Sequence, residues 1–136
     1  MGKTYLIVGA GHGLLSRALE IAQGRTIIVT DKAIDAEDLI EVLDIFKAFP
    51  LLASLPSRLS PRENLILDLY AHASRLSALS NYASVKMYLK LCEILKASAK
   101  AKCFNLYITY CGERTSWIRD RLRSMVDEEV LAENLA

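Results

Sequence analysis

The segment best suited to chemistry is Gly9-Ala10-Gly11-His12-Gly13, which stands between a short apolar run and a helix-like stretch. In that setting backbone N–H groups and a helix N-terminus form an anion site, and glycine lets the main chain approach a phosphate closely. The same glycines also suit a plain tight turn. His12 has a side chain able to donate to a phosphate near neutral pH, although a loop histidine is as readily solvated. Two acids follow apolar runs, Asp31 after Thr26–Thr30 and Asp68 after Leu65–Leu67. His72 has no Cys or His at ligand spacing, so no metal site is expected. No Ser-His-Asp or Cys-His set can be placed. Arg114, Arg119, Arg121 and Arg123 could form an anion-facing stripe, but interleaved with Glu113, Asp120 and Asp127 they read better as a solvated helix face.

The elements that must position these residues alternate along the chain. Thr4–Val8 and Thr26–Thr30 are continuous apolar, β-branched runs of the kind found in strands buried on both faces. Leu14 to Ala22 has helical spacing and is closed by Gly24. Ala36 to Phe49 is predicted to be helical, with acids in its first turn and Pro50 as its stop. Residues 50–63 contain Pro50, Pro56 and Pro61 and read as a loop with room for a short turn of helix inside it. Asn64 to Leu79 is ambiguous. Leu65-Ile66-Leu67-Asp68 has the character of a buried strand, yet Ser60-Pro61-Arg62-Glu63 is a good capping-box start for a helix. Ser84 to Ala99 is an amphipathic helix with Val85, Tyr88, Leu89, Cys92 and Leu95 inward and Lys86, Lys90, Glu93 and Lys96 outward. Phe104–Tyr110 is a strand, and Thr115 or Ser116 caps a last helix through about Glu129. The β-α-β-α order calls for an α/β fold with a mostly parallel sheet.

Composition sets the outer bounds. At 136 residues, 52% hydrophobic and 24% charged, the chain reads as one domain spanning 1–136. A formal charge of +1 offers no global attraction to nucleic acid or to acidic membranes, so either would need a local patch. No run approaches the roughly 18 apolar residues of a membrane span, and Leu6 stands where a myristoylation signal has Ser or Thr. Cys92, Cys103 and Cys111 form an odd set without CxxC spacing, which fits core thiols in a reducing, cytoplasmic setting.

The loop resembles those of three families. A dinucleotide-binding loop has its third glycine at position 14, which is Leu here. A methyltransferase-type loop matches at Gly9, Gly11 and Gly13, with Asp31 placed to hold the ribose of S-adenosylmethionine; the acid that usually precedes the loop is replaced by Ile7. The broadest resemblance is to RecA/KaiC-like P-loop ATPases, over Thr4–Leu15, Thr26–Asp38 and Asn64–Tyr110. Lys3 to Gly9 resembles the strand entering Walker A, and Thr30-Asp31-Lys32 the place of the catalytic glutamate. Glu37-Asp38-Leu39-Ile40 is similar to the start of the next helix. Leu65-Ile66-Leu67-Asp68 looks like Walker B, and Leu76–Leu79 like the segment after it. This resemblance favours the strand at 65–68. It implies a three-layer P-loop NTPase-like core with about four strands, the last lying between the first and the third. Leu14 and Leu15 stand where the family has Lys and Ser or Thr, so neither phosphate neutralisation nor Mg²⁺ binding is available from them.

The resemblance therefore implies a degenerate, non-catalytic member with no cofactor for turnover, in which Gly9, Gly11, His12, Gly13, Asp31 and Asp68 are the remnants of a nucleotide site. It also implies a protein partner, either a second copy or an active paralogue, in recombination, repair or signalling. The apolar residues Phe46, Phe49, Leu51, Leu52 and Leu55 crowd a Pro-rich stretch read as a loop, where they either mark that contact or fold back to cover a sheet edge.

Overall fold

A computed structural model of the chain describes residues 2–9, 13–32, 34–69, 81–111 and 117–132. In chain order the elements are β1 (Thr4–Val8), α1 (Leu14–Ile21), β2 (Thr26–Thr30), β3 (Leu39–Glu41), α2 (Ile45–Ser54), a 3₁₀ turn (Leu55–Arg58), β4 (Asn64–Asp68), α3 (Tyr82–Lys102), β5 (Asn105–Tyr110), α4 (Trp117–Met125) and β6 (Glu128–Leu131). The strands form one sheet in the order β3-β2-β4-β5-β1-β6, and every pairing in it is parallel. The fold is thus α/β, with six strands rather than about four. As expected, β5 lies between β4 and β1.

Alternation along the strands sorts the core into two faces. Leu6, Val8, Ile27, Val29, Leu65, Leu67, Leu106 and Ile108 pack with Ile45 and Leu52 of α2, Tyr88, Leu91 and Leu95 of α3, and Ile118 and Leu122 of α4. Ile7, Ile28, Ile66 and Tyr107 point the other way, against Leu14 and Ala18 of α1. The chain crosses the sheet in one direction from β1 to β2 and in the opposite direction from β3 through β6. Crossovers of a single hand then place α1 on one face and the later helices on the other. Among the described residues, α1 is the single helix on its face. It lies over β1 and β5, where Tyr5 and Tyr107 stack with centroids 4.9 Å apart.

Several expectations are corrected. The helix predicted for Ala36–Phe49 begins only at Ile45, where the Asp44 side chain accepts from the Phe46 N–H as N-cap. Leu39–Glu41 instead pairs with Ile28–Thr30, so the sheet edge overrides the helical spacing. Pro50 does not end α2 but sits inside it. Residues 50–58 are helix and 3₁₀ turn rather than loop, and Leu52 and Leu55 belong to the core. The last helix stops at Met125 rather than near Glu129, and Glu128–Leu131 pairs with β1 as an outer strand. Arg119 is buried rather than solvated, with Nη2 3.4 Å from a Glu129 carboxylate oxygen.

The ambiguous stretch resolves as a strand at Asn64–Asp68 for a visible reason. Half of the capping box forms: the Glu63 carboxylate accepts from the Ser60 N–H at 2.7 Å, while the Glu63 N–H donates to the Ser60 carbonyl and closes a turn. Arg62 then adopts φ 70°, outside helical space, and the chain turns into the sheet. The amphipathic helix is found at Tyr82–Lys102, with its inward residues buried as expected. Cys92 lies in the core, where burial pushes its thiol up to about 12. Leu76–Leu79, His72, Arg114, Thr115 and Ser116 lie outside the described residues.

Candidate functional site

Three neighbouring strands end in polar residues that meet. Thr30 of β2 is in register with Asp68 of β4, and Thr109 of β5 follows Ile108, the partner of Leu67. All three side chains share the face of α1, one step beyond Ile28, Ile66 and Tyr107. Thr109 Oγ1 donates to Asp68 Oδ1 at 2.7 Å, and Thr30 Oγ1 donates to Asp68 Oδ2 at 2.8 Å. Lys32 Nζ stands 3.8 Å from the same Oδ2, and its backbone N–H donates to Thr30 Oγ1 at 3.2 Å.

Thr30, Asp68 and Thr109 are each 0% exposed. Buried carboxylates need partners for both oxygens, and bonds to a charged group contribute about 1.5–3 kcal/mol each. Here the partners come from the fold itself. Two hydroxyls and an ammonium compensate Asp68, and its oxygens present no surface to solvent.

The glycine loop enters α1 at Gly13, which is its N-cap without a side-chain cap bond. Leu14 is fully buried against the sheet and Leu15 is half-buried against the same cluster, so both are committed to the core. Gly9 has a structural use of its own. A Cβ there would lie 3.2 Å from the Ala132 Cβ, a close contact, so glycine lets the turn after β1 pack against the end of β6 without displacing Ala132. Gly11 and His12 lie outside the described residues.

Asp31 follows β2 and is half-buried. The fold does not bring it to the glycine loop. β1 and β2 are separated by β5 and β4, and three interstrand spacings come to about 14 Å. A dinucleotide-type site needs its glycine loop and its ribose-binding acid on adjacent strands, and these two are not adjacent.

Asp68 was legible in the sequence as the end of a buried run. Thr30, Thr109 and Lys32 as its partners were not, although a hydroxyl closing each of two flanking strands was the available signal. Among the described residues no three His, Cys, Asp or Glu side chains cluster to hold a metal ion. No described helix is long and apolar enough to cross a membrane. Comparison with models of known protein families gives no match, and none of the curated proteins matches the sequence.

Proposed function

We propose that this chain is a non-catalytic relative of RecA/KaiC-like ATPases, working as a regulatory or scaffolding subunit through contact with a protein partner, either a second copy or an active paralogue. The observation that carries the reading is the closed state of Asp68. The acid stands at the end of β4, two strands from β1 and on the face of α1, where the resemblance puts a Walker B acid. Its oxygens are taken by Thr30 and Thr109, with Lys32 as counter-ion. Leu14 and Leu15 supply neither the cation nor the hydroxyl of phosphoryl transfer. The strand order, with β5 between β4 and β1, is the one the resemblance implies and supports it further.

Recombination, repair or signalling is the setting this reading suggests. The partner surface it favours is the set of exposed apolar side chains Leu43, just before α2, and Phe46 and Leu51 along it. The alternative, an S-adenosylmethionine-binding methyltransferase using Gly9–Gly13 and Asp31, has the separation of β1 from β2 against it.

The test is ATP hydrolysis by purified protein with Mg²⁺, alongside thermal shift with ATP, ADP, S-adenosylmethionine and NAD. The expected result is no turnover above background. Magnesium-dependent hydrolysis that disappears in Asp68→Asn would overturn the reading, and stabilisation by S-adenosylmethionine alone would favour the alternative.

A further inference from the structure

On the outer side of α3 and α4, independently of the Asp68 cluster, two large aromatic side chains stand open. Tyr82 is 65% exposed and Trp117, the one tryptophan of the chain, is 47% exposed. Tyr82 opens α3 and Trp117 is the first described residue of α4; α3 follows β4 and α4 follows β5, so both rings lie toward the carboxyl edge of the sheet. Their centroids are 5.8 Å apart and their planes are inclined by 56°. This is an open wedge rather than a closed stack. It heads a groove of about 290 Å³ between the two helices, rimmed by Lys86, Lys90 and Arg121 against a single acid, Glu93. Lys86 Nζ sits 5.4 Å from the Tyr82 ring centroid, and Arg121 pairs with Glu93 at 3.1 Å.

We propose that this groove binds single-stranded nucleic acid, with a base stacked against the Tyr82–Trp117 wedge and flanking phosphates held by Lys86 and Lys90. Aromatic faces stack on any base, and a basic track beside them follows the backbone; together they make up a single-strand surface. The chain's charge of +1 requires such binding to be local, and this rim supplies the local charge. A protein partner fits the same groove less well, because lysine is depleted in protein interfaces. Lys86 stands beside the aromatic pair, and Lys90 lines the same groove about two turns along α3 from Tyr82.

Trp117 is a built-in reporter. Its emission is followed while the full chain is titrated with an oligothymidylate of about 12 nucleotides, within the usual site size. An abasic sugar-phosphate strand of the same length and polyglutamate are titrated in parallel. The expected result is quenching by the oligothymidylate, with much weaker binding of both controls. Tyr82→Ala should weaken binding about tenfold. A Lys86→Gln, Lys90→Gln variant should flatten the slope of log affinity against log salt by about 1.4. These side chains lie on the surface, and circular dichroism of each variant reports its fold. Absence of quenching at low salt would overturn the proposal. So would equal binding of the abasic strand, which makes the contact one of charge alone, or preferential binding of polyglutamate, which makes the groove a site for an acidic protein.

Discussion

Asp68 is held by two hydroxyls from different strands, so its environment can be taken apart one atom at a time. Thr109→Val keeps the shape of the side chain and removes the donor to Oδ1. Left without that partner in the core, the carboxylate should cost about 1–3 kcal/mol of stability, read as a lower urea midpoint with an unchanged slope. Thr109→Ser, which restores the donor, should recover most of the loss. If Thr109→Val were as stable as the parent, Asp68 would not depend on this bond, and the closed state argued above would lose its energetic basis. Gly9 shows the converse lesson for sequence reading. A glycine in a phosphate-type loop is here also favoured by the close approach of Ala132, and the sequence contains no sign of that contact because Ala132 lies more than a hundred residues away.

β6 is the element with the most sharply defined attachment. Its Glu129 carboxylate accepts from Arg123 Nε at 3.1 Å and from the buried Arg119 at 3.4 Å. Burial alone would raise the Glu129 carboxyl, but the hydrogen bonds from Arg123 and Arg119 outweigh it and hold the group below its ordinary 4.5. A depressed carboxylate contributes stability that is fully present above the unfolded value and is lost as pH falls through the folded one. Protonation also leaves Arg119 without its anion. Amide exchange in Glu128–Leu131 should therefore accelerate, relative to β4 and β5, as pH drops below about 4.5; a protection ratio independent of pH would show that β6 is held by its backbone pairing alone.

The same element marks where the sequence stopped being legible. β1, β2 and β5 are apolar runs rich in β-branched and aromatic residues, and α3 has an apolar stripe, so local pattern sufficed for them. β4 did not yield to local pattern, because the Ser60–Glu63 helix start competed with the Leu65–Leu67 run and only the family resemblance favoured the strand. β3 and β6 are three and four residues long and only partly buried. Short edge strands carry too few residues for a period, and they form because a neighbouring strand offers its hydrogen bonds. α2 misled for a related reason, since Pro50 is exposed within it and the burial of Leu52 and Leu55 carries the helix past the proline.

At the scale of the whole molecule, the apolar segment around α2 divides into two sets that sequence could not separate. Leu52 and Leu55 are in the core, whereas Leu43 is 74% exposed and Leu51 47%. If the exposed set serves a partner surface, wild-type protein should exceed monomer mass by light scattering. Leu43→Asp with Leu51→Asp should give a folded monomer, and Leu52→Asp should unfold instead. A strictly monomeric wild type would remove the self-association form of the proposal and leave the paralogue. The sheet order has a consequence of another kind, in time rather than in space. β1 is synthesised first yet is paired on one side by β5 and on the other by β6, and the Thr4 N–H is met by the Asp127 carboxylate. During translation the earliest apolar strand must wait for roughly a hundred further residues before either of its edges is covered, a high-contact-order arrangement that slows folding and prolongs exposure. Thr4–Val8 is thus a nascent apolar segment whose first strand partner, β5, is made roughly a hundred residues after it.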